Sequence, residues 1–182
     1  WCPPSCGALF LLSTNDKTIK LWKLHERTLH DVSNKNIERG YHGARLASRE
    51  LRVPRLQPRE RSLFATARRI YANAHAYHIN SVSVNSDGES FLSADDLRVN
   101  LWNTGVSKTC FNVVDIKPEN MEDLTEVITA ATFHPTHCHH FAYATSRGSI
   151  KLGDLRASAL CDEYAKCFEY MEEDPTNRSY FS

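Results

Sequence analysis

The densest group of chemically versatile side chains in the sequence is a histidine-rich run with one cysteine. It consists of His134, His137, Cys138, His139 and His140. Imidazole and thiolate groups are typical zinc ligands. However, the run lies in a turn between two predicted strands, has no second ligand pair at a defined distance, and would need a contorted backbone to aim several ligands at one point. The pattern therefore favours a solvated loop over a metal site.

Motifs for catalysis are missing from the sequence. It has no glycine-rich phosphate loop, no GxSxG elbow and no HExxH pair. Adjacent acids occur at Asp95-Asp96 and at Glu122-Asp123, but neighbouring carboxylates in a turn or on a rim are more often solvated or ligand-facing than a catalytic dyad. We predict that the chain is not an enzyme and that it uses no cofactor and no metal.

Most of these residues lie in connections between short antiparallel strands, and residues 73–102 show the arrangement best. An alternating run leads to Asp87-Gly88, a pair that predicts a type I′ hairpin turn because both central residues of that turn need positive φ. A second strand leads to the acidic turn at Asp95-Asp96, where short acidic side chains can bond to their own backbone. A third strand ends at Trp102, so the stretch is predicted to be a β-meander.

The end of this meander recurs near the start of the chain. A serine is followed by an aspartate three residues later and by a tryptophan six residues after that, in Ser13, Asp16, Trp22 and in Ser93, Asp96, Trp102. In WD-repeat blades, such a Trp, Ser and turn Asp share a buried hydrogen-bond network with a His that precedes the first strand, and His75 is placed to be that His. The repeated pattern resembles the blades of WD-repeat proteins, and this resemblance implies an all-β WD-repeat β-propeller with the network in its blades.

A third, degenerate copy covers Val127 to Leu155, with Arg147 at the Asp position and Gly153 at the Trp position. Blades are therefore predicted near residues 8–24, 72–115 and 127–156. Residues 25–70 form an inserted arm, residues 116–126 form a rim helix or loop, and Ala157 to Phe168 form a helix or a long connection.

Charge is distributed unevenly along a chain whose formal net charge is zero. Residues 25–71 carry eleven basic and five acidic residues, whereas residues 72–153 carry five basic and nine acidic ones. This asymmetry predicts two surfaces for two partners. A protein partner is favoured for the arginine-rich insert over nucleic acid, because Glu50 and Glu60 interrupt the arginines and no aromatic stacking residues are interleaved with them.

No apolar run reaches the roughly 20 residues of a membrane span, and the first twelve residues lack the features of a signal peptide. The six cysteines form no CxxC pair and are interpreted as reduced thiols. We predict a soluble intracellular protein that binds neither membrane nor nucleic acid. The start at Trp1 and the end at Ser182 suggest a fragment.

Several motifs resemble the B regulatory subunits (55 kDa class) of protein serine/threonine phosphatase 2A. The most specific are SADDLR, DIKP followed by LTEVITAA, and RASALCD. The resemblance implies a seven-bladed propeller of which this chain supplies about three blades. It also implies a cytoplasmic location, with the nucleus left open, and an inserted β-hairpin arm at residues 25–70 that binds the helical-repeat scaffold subunit. The propeller would place phosphoprotein substrates near the catalytic subunit.

The resemblance further implies a substrate-binding surface formed by Tyr77, His78, Asp96, Glu122 and Leu124. Asp96 has a rival role as the turn acid of the buried network, and Leu124 has one as the packing face of a rim helix. Two alternatives to a targeting subunit stay open: a WD-repeat scaffold fragment that no longer assembles the phosphatase, and an independent phosphatase.

Overall fold

The fold consists almost entirely of β-strands. The computed structural model describes residues 1–2, 8–33, 35, 37–39, 45–47, 52–161 and 166–169. Its strands are β1 (Leu9–Asn15), β2 (Thr18–Ser33), β3 (Ile37–Arg39), β4 (Arg45–Ala47), β5 (Arg55–Tyr71), β6 (Ser81–Val84), β7 (Ser90–Ala94), β8 (Arg98–Asn103), β9 (Val106–Asp115), β10 (Ile128–Phe133), β11 (His140–Thr145), β12 (Ile150–Asp154) and β13 (Lys166–Phe168). Apart from a 3-10 turn at Met121–Asp123, the described residues contain no helix. The prediction of an all-β fold is confirmed.

The chain divides into two units, residues 1–23 with 67–182 and residues 24–66. In the described part of the first unit, three sheets follow one another along the chain, with strand orders β1-β2-β5, β6-β7-β8-β9 and β10-β11-β12-β13. The two four-stranded sheets are antiparallel meanders with consecutive strands paired. Each of the three sheets contains one of the three repeats that were predicted from the sequence.

Burial patterns show which sheet lies between the others. Strand β7 is buried on both faces, since Phe91 and Leu92 are neighbours in sequence and both have no exposed surface. Successive side chains of a strand point to opposite faces, so both faces of this sheet are covered. Strand β11 instead alternates between buried and half-buried residues, with Phe141 and Tyr143 directed to the core. The sheet of β6–β9 is therefore the central one.

Two hydrophobic clusters fill the spaces beside the central sheet. One contains Leu92, Val99, Val114, Ile128, Phe133, Phe141 and Tyr143. The other contains Ile19, Leu21, Tyr71, Ile79, Phe91 and Trp102. In the second cluster Tyr71 makes edge-on contacts with the rings of Phe91 and Trp102, with centroids 4.9 and 5.4 Å away. Edge-to-face aromatic packing of this kind adds to the stabilisation from buried area.

Hydroxyl groups join the first strands of the last two sheets. Ser81 Oγ of β6 accepts a hydrogen bond from the amide of Ala131 at 2.9 Å, and Ser83 Oγ accepts one from the amide of Phe133 at 3.0 Å. These amides of β10 face away from its ladder partner β11, so the serines satisfy donors that a free sheet edge would leave unpaired.

The second unit, residues 24–66, contains an extended ribbon formed by parts of β2 and β5, and a small hairpin in which β3 pairs with β4. Ser33 Oγ donates to the carbonyl of Arg55 at 3.1 Å, and the rings of His25 and Phe64 lie 6.3 Å apart. The predicted arm at 25–70 thus contains long strands. The prediction for these residues was an inserted hairpin arm.

One local prediction is wrong, and for a second segment one of the two predicted alternatives is excluded. The turn at Asp87-Gly88 is not type I′, because Gly88 has φ 70° while Asp87 is not in the left-handed region. The turn before the glycine is closed by the Gly88 amide, which donates to the Asn85 carbonyl at 3.0 Å, and the Asp87 carboxylate accepts hydrogen bonds from the amides of Glu89 and Ser90 after it. The connection after β12 is not a helix over Lys166–Phe168, because these residues pair with β12 as strand β13. Residues 162–165 lie outside the described part.

Candidate functional site

Five connections meet at one end of the sheets. They are the turn at residues 15–17, the segment 77–80, the turn at 95–97, the segment 116–126 and the turn at 146–148. In an antiparallel meander alternate turns lie at the same end, and these are the turns of that end. We call this surface the turn face, and residues 116–126 the rim segment. The five predicted substrate residues all belong to it.

Backbone hydrogen bonds hold the turn face together. The amide of Ile79 donates to the carbonyl of Asp16 at 2.9 Å, and the amide of Asn80 donates to the carbonyl of Ala94 at 2.9 Å. The amide of Ile128 donates to the carbonyl of Asp96 at 2.8 Å. Connections from all three sheets are therefore fixed to one another through main-chain atoms.

Tyr77 and His78 project from the segment before β6. Both are exposed, and Tyr77 retains 38% of its surface. His78 Nδ1 lies 2.5 Å from Asp16 Oδ1, and the two side chains are 83% and 53% exposed. This contact joins a predicted substrate residue to the turn of the first sheet. Asp16 was predicted to lie in a buried blade network, and that placement is wrong because its carboxylate is on the surface.

The buried network of the central sheet contains His75, Ser93 and Trp102, as their spacing predicted. Trp102 Nε1 donates to Ser93 Oγ at 2.8 Å, and His75 Nε2 lies 2.6 Å from the same oxygen. His75 Nδ1 lies 2.8 Å from Asp95 Oδ2, with both side chains 1% exposed. A hydroxyl that accepts from one ring and donates to the other satisfies all of these polar groups inside the core.

The carboxylate of this network belongs to Asp95 and not to Asp96. Asp95 Oδ1 also accepts the amides of Leu97 and Arg98 at 2.9 and 2.8 Å. Burial alone would raise the pKa of Asp95, but the hydrogen bonds from His75 and from these two amides outweigh it, and the pKa is lowered. Asp96 remains partly exposed. The rival structural role for Asp96 is therefore wrong.

The first sheet carries only part of the network. Trp22 Nε1 donates to Ser13 Oγ at 2.9 Å, which matches the pair in the central sheet. The position equivalent to Asp95 is occupied by Asn15, two residues after the serine, and it is exposed.

In the third sheet the predicted Trp position, Gly153, is covered by an aromatic ring from the neighbouring strand. Phe141 pairs with Gly153 across β11 and β12, and a Cβ atom built on Gly153 would lie 2.5 Å from the ring of Phe141. The phenyl group therefore occupies the space that a larger residue at 153 would need. Arg147, at the predicted Asp position, precedes Gly148, whose φ is 81°.

The rim segment contains a single 3-10 turn at Met121–Asp123. Glu122 in this turn is exposed, and Leu124 follows it with φ −66° and ψ 114° and is partly buried. The structure thus places both predicted residues on the turn face, with the carboxylate more accessible than the leucine.

Sequence reasoning missed two residues that hold this surface. Asn80 Nδ2 donates to the carbonyl of Ile128 at 2.6 Å, which connects the segment carrying His78 to the third sheet. Lys151 Nζ lies 2.7 Å from Glu126 Oε1 at the end of the rim segment. Neither shows a recognisable motif, because the partners are distant in sequence.

The histidine-rich run lies at the opposite end of the sheets. His134 Nδ1 lies 3.1 Å from His137 Nδ1, but it also accepts the amide of His137 at 3.1 Å. No group of three or more side chains able to hold a metal ion is found among the residues that the structure describes.

A cavity of about 660 Å³ also lies toward that opposite end. Its lining includes Phe10, Leu21, Arg68 and Arg69, together with the turns at residues 87–89 and 104–105. None of the predicted substrate residues lines it.

In the described ranges of the chain, no helix has the length and apolar character required to cross a membrane.

Comparisons with known proteins agree with this geometry. Residues 68–103, which include strands β6 to β8 of the central sheet, match the family "WD domain, G-beta repeat". Over 186 aligned residues the chain is 56% identical to the B regulatory subunit of protein phosphatase PP2A from Schizosaccharomyces pombe, with all of this chain and 40% of that protein covered. The predicted family resemblance is confirmed. The chain is homologous to the B regulatory subunits of protein phosphatase 2A along its whole length.

A second relative is the serine/threonine-protein phosphatase 2A regulatory subunit phr2AB of Dictyostelium discoideum, 50% identical over 218 residues. All of this chain and 45% of that protein are covered. The chain therefore spans less than half the length of these two relatives. Both relatives are named as regulatory and not catalytic subunits, in agreement with the prediction of a non-enzymatic chain.

Among solved structures, the β-propeller domain of Myceliophteria thermophila Cps50 (Swd1) is 24% identical, with a TM-score of 0.36. That comparison covers 49% of this chain and 26% of the other. The match to the WD repeat and the three consecutive open sheets confirm the predicted fold class of a partial WD-repeat β-propeller.

Proposed function

We propose that this chain is a regulatory, substrate-targeting part of protein phosphatase 2A and has no phosphatase activity of its own. The observation that carries the proposal is the identity of 50–56% to named regulatory subunits of this phosphatase, which extends over the whole chain. The gathering of five predicted substrate residues on one turn face supports it. The catalytic step would belong to a separate catalytic subunit.

The chemistry of the turn face favours a basic substrate segment. Three carboxylates lie at this surface, those of Asp96, Glu122 and Asp123. The side chains of Glu122 and Asp123, in the rim segment, are exposed. Tyr77 adds an exposed ring, and Leu124 adds an apolar contact beside them. Such a surface would bind a lysine or arginine that lies next to an apolar residue in a phosphoprotein.

The ribbon of the second unit is the part we propose for the scaffold subunit. Arg55, Arg59 and Arg61 are exposed along β5. Leu56 and Leu63 of the same strand are 70% and 64% exposed. Mixed arginine and aliphatic surface is typical of protein interfaces and is unfavourable in free solvent. These residues would bind an acidic and partly apolar protein surface.

The test uses the purified 182-residue chain with a purified dimer of the scaffold and catalytic subunits, and the full-length S. pombe relative as positive control. We expect the chain to bind the dimer and to increase phosphate release from a lysine-rich phosphoprotein, with no release by the chain alone. Asp96→Lys should remove the increase and keep binding to the dimer. The double variant Arg59→Glu, Arg61→Glu should lose binding.

A second candidate is a WD-repeat fragment that does not assemble the phosphatase. The chain matches 40–45% of the length of these relatives, and this candidate applies if those proteins bind the phosphatase through their other parts. A folded chain that fails to bind the dimer, while the S. pombe relative does bind it, would establish this candidate and refute the targeting role.

A further inference from the structure

The rim segment, residues 116–126, is fixed at its beginning by the turn that carries Asp96. The amide of Ile116 donates to the carbonyl of Leu97 at 2.9 Å, and the amide of Lys117 donates to Asp115 Oδ1 at 3.0 Å. Between its ends the segment has only one 3-10 turn, and the side chains of that turn are not buried. Its shape therefore depends on how its two ends are held.

The end of the rim segment is held by the third sheet. Val127 and Ser146 exchange two hydrogen bonds, at 2.8 Å between the Ser146 amide and the Val127 carbonyl and at 3.0 Å between the Val127 amide and Ser146 Oγ. One residue earlier, Lys151 Nζ of β12 lies 2.7 Å from Glu126 Oε1. The ammonium group is also 6.0 Å from the centroid of the Tyr143 ring.

The Lys151–Glu126 pair is largely shielded from water, with side chains 14% and 20% exposed. Burial would raise the pKa of Glu126, but the hydrogen bonds of Lys151 and Thr145, together with the charges of Lys151 and Arg147, outweigh this effect and lower it. Without Lys151, Glu126 keeps the hydrogen bond of Thr145 and the charge of Arg147 but loses its ion-pair partner, and its partly shielded carboxylate then moves toward water. Here the movable member is Glu126, because it lies on a segment without regular structure.

We propose that Lys151 is a positioning residue for the turn face, and that it holds Glu126 so that Glu122 and Leu124 are presented together to a partner. The inference rests on the proposed function, because it names a residue that tunes the same binding surface. Lys151 lies on β12 with most of its side chain buried, so it acts through Glu126 and not by contact with the partner.

Positioning and simple electrostatics make opposite predictions for this residue. Removing a positive charge near an acidic surface should strengthen the attraction for a cationic partner. Loss of a residue that orders the binding surface should weaken binding, because the partner must then supply the ordering free energy. The sign of the change in affinity therefore separates the two effects.

The experiment measures binding of a fluorescein-labelled, lysine- and leucine-rich phosphopeptide to the full chain by fluorescence anisotropy. For Lys151→Met and Glu126→Gln we expect the dissociation constant to rise about fivefold, and for Lys151→Arg to stay within about twofold of the unmodified chain. The matched control is Lys166→Met, which removes an exposed lysine opposite Leu152 on the adjacent strand. Its dissociation constant should be unchanged or slightly lower.

Amide hydrogen exchange of the same variants supplies a readout that does not depend on the peptide. We expect faster exchange over residues 117–127 in Lys151→Met, with the protection of β6–β8 retained. Equal affinities of Lys151→Met and Lys166→Met, or loss of protection throughout the sheets, would overturn the inference. If the unmodified chain binds neither the peptide nor the phosphatase dimer, the proposed function fails, while unchanged exchange at 117–127 in Lys151→Met still overturns the positioning role.

Discussion

The imidazole Nδ1 of His78 lies 2.5 Å from the carboxylate Oδ1 of Asp16, and the amide of the next residue, Ile79, donates to the Asp16 carbonyl. One residue of the first sheet therefore contacts the segment before β6 through its side chain and through its main chain. The main-chain bond is part of the scaffold of the turn face, whereas the side-chain pair is exposed to water. The main-chain bond should therefore contribute more to the free energy of unfolding than the exposed side-chain pair.

Asp16→Asn tests the exposed contact. Because ion pairs in solvent contribute little, the free energy of unfolding should change by less than about 0.5 kcal/mol. Urea denaturation followed by tryptophan fluorescence measures it, and Asp87→Asn, which removes an acid that accepts two backbone amides, should cost more. A loss above about 1.5 kcal/mol for Asp16→Asn would show that the pair stabilises the fold.

Asp95 and Asp96 should respond differently to substitution although they are neighbours. Asp95→Ala removes the acceptor for His75 and for two backbone amides, and we expect a loss of about 2–4 kcal/mol in the free energy of unfolding. Asp96→Ala should cost less than about 0.5 kcal/mol. Equal losses in urea denaturation would contradict the division between a buried and a surface acid.

Acid should destabilise the chain partly through Asp95. Its pKa is lower in the folded state than in the unfolded chain, so the folded state is favoured by ionisation and this stabilisation is complete only above the unfolded value of about 3.9. The free energy of unfolding should therefore fall as pH drops below about 4 and continue to fall toward the lowered pKa. In Asp95→Asn the decrease should be shallower, and parallel curves for the two proteins would contradict this account.

Gly153 is predicted to tolerate no side chain while Phe141 is present. Because a Cβ would lie 2.5 Å from the Phe141 ring, Gly153→Ala should lower the free energy of unfolding by about 1–3 kcal/mol. Phe141→Leu also destabilises, through lost packing, but the double variant should lose less than the two single losses combined. Strict additivity in this double-mutant cycle would show that the ring and the glycine are not coupled.

Trp102→Phe and Trp22→Phe compare two copies of the same hydrogen bond. Trp102 is 2% exposed and its Nε1–H donates to a serine that also contacts His75, whereas Trp22 is only half-buried. We expect losses of about 2 kcal/mol for Trp102→Phe and about 1 kcal/mol or less for Trp22→Phe. A larger loss of unfolding free energy for Trp22→Phe than for Trp102→Phe, measured by thermal or urea unfolding, would show that the hydrogen bond of the first sheet is the more stabilising one.

Much of the fold could be predicted because it depends on local patterns. The strand alternation around β6–β8 and the constant distance from Ser93 to Trp102 follow from the period of a strand and the length of a tight turn. The choice between Asp95 and Asp96 could not be made in this way. Both are short acids in one turn, and only the position of the His75 ring, twenty residues away, decides which carboxylate is buried.

The contacts that organise the turn face could also not be predicted from the sequence. Lys151 with Glu126 and Asn80 with Ile128 join residues 25 and 48 positions apart, and their types are common on any surface. Strand β13 was missed because three residues after a long connection show no alternation of their own, and the strand forms only by pairing with β12. Such features depend on how the sheets meet.

The hydroxyls of Ser81 and Ser83 fix the register of β10 relative to β6, and this register affects the turn face. They are two residues apart, and they contact two amides, of Ala131 and Phe133, that are also two residues apart. A shift of β10 by a single residue would place opposite these oxygens the residues whose amides point toward β11, and both bonds would be lost. The spacing of the two serines thus sets the register between two neighbouring sheets. The connections that leave these sheets at the turn face therefore end at the same level along the strand direction.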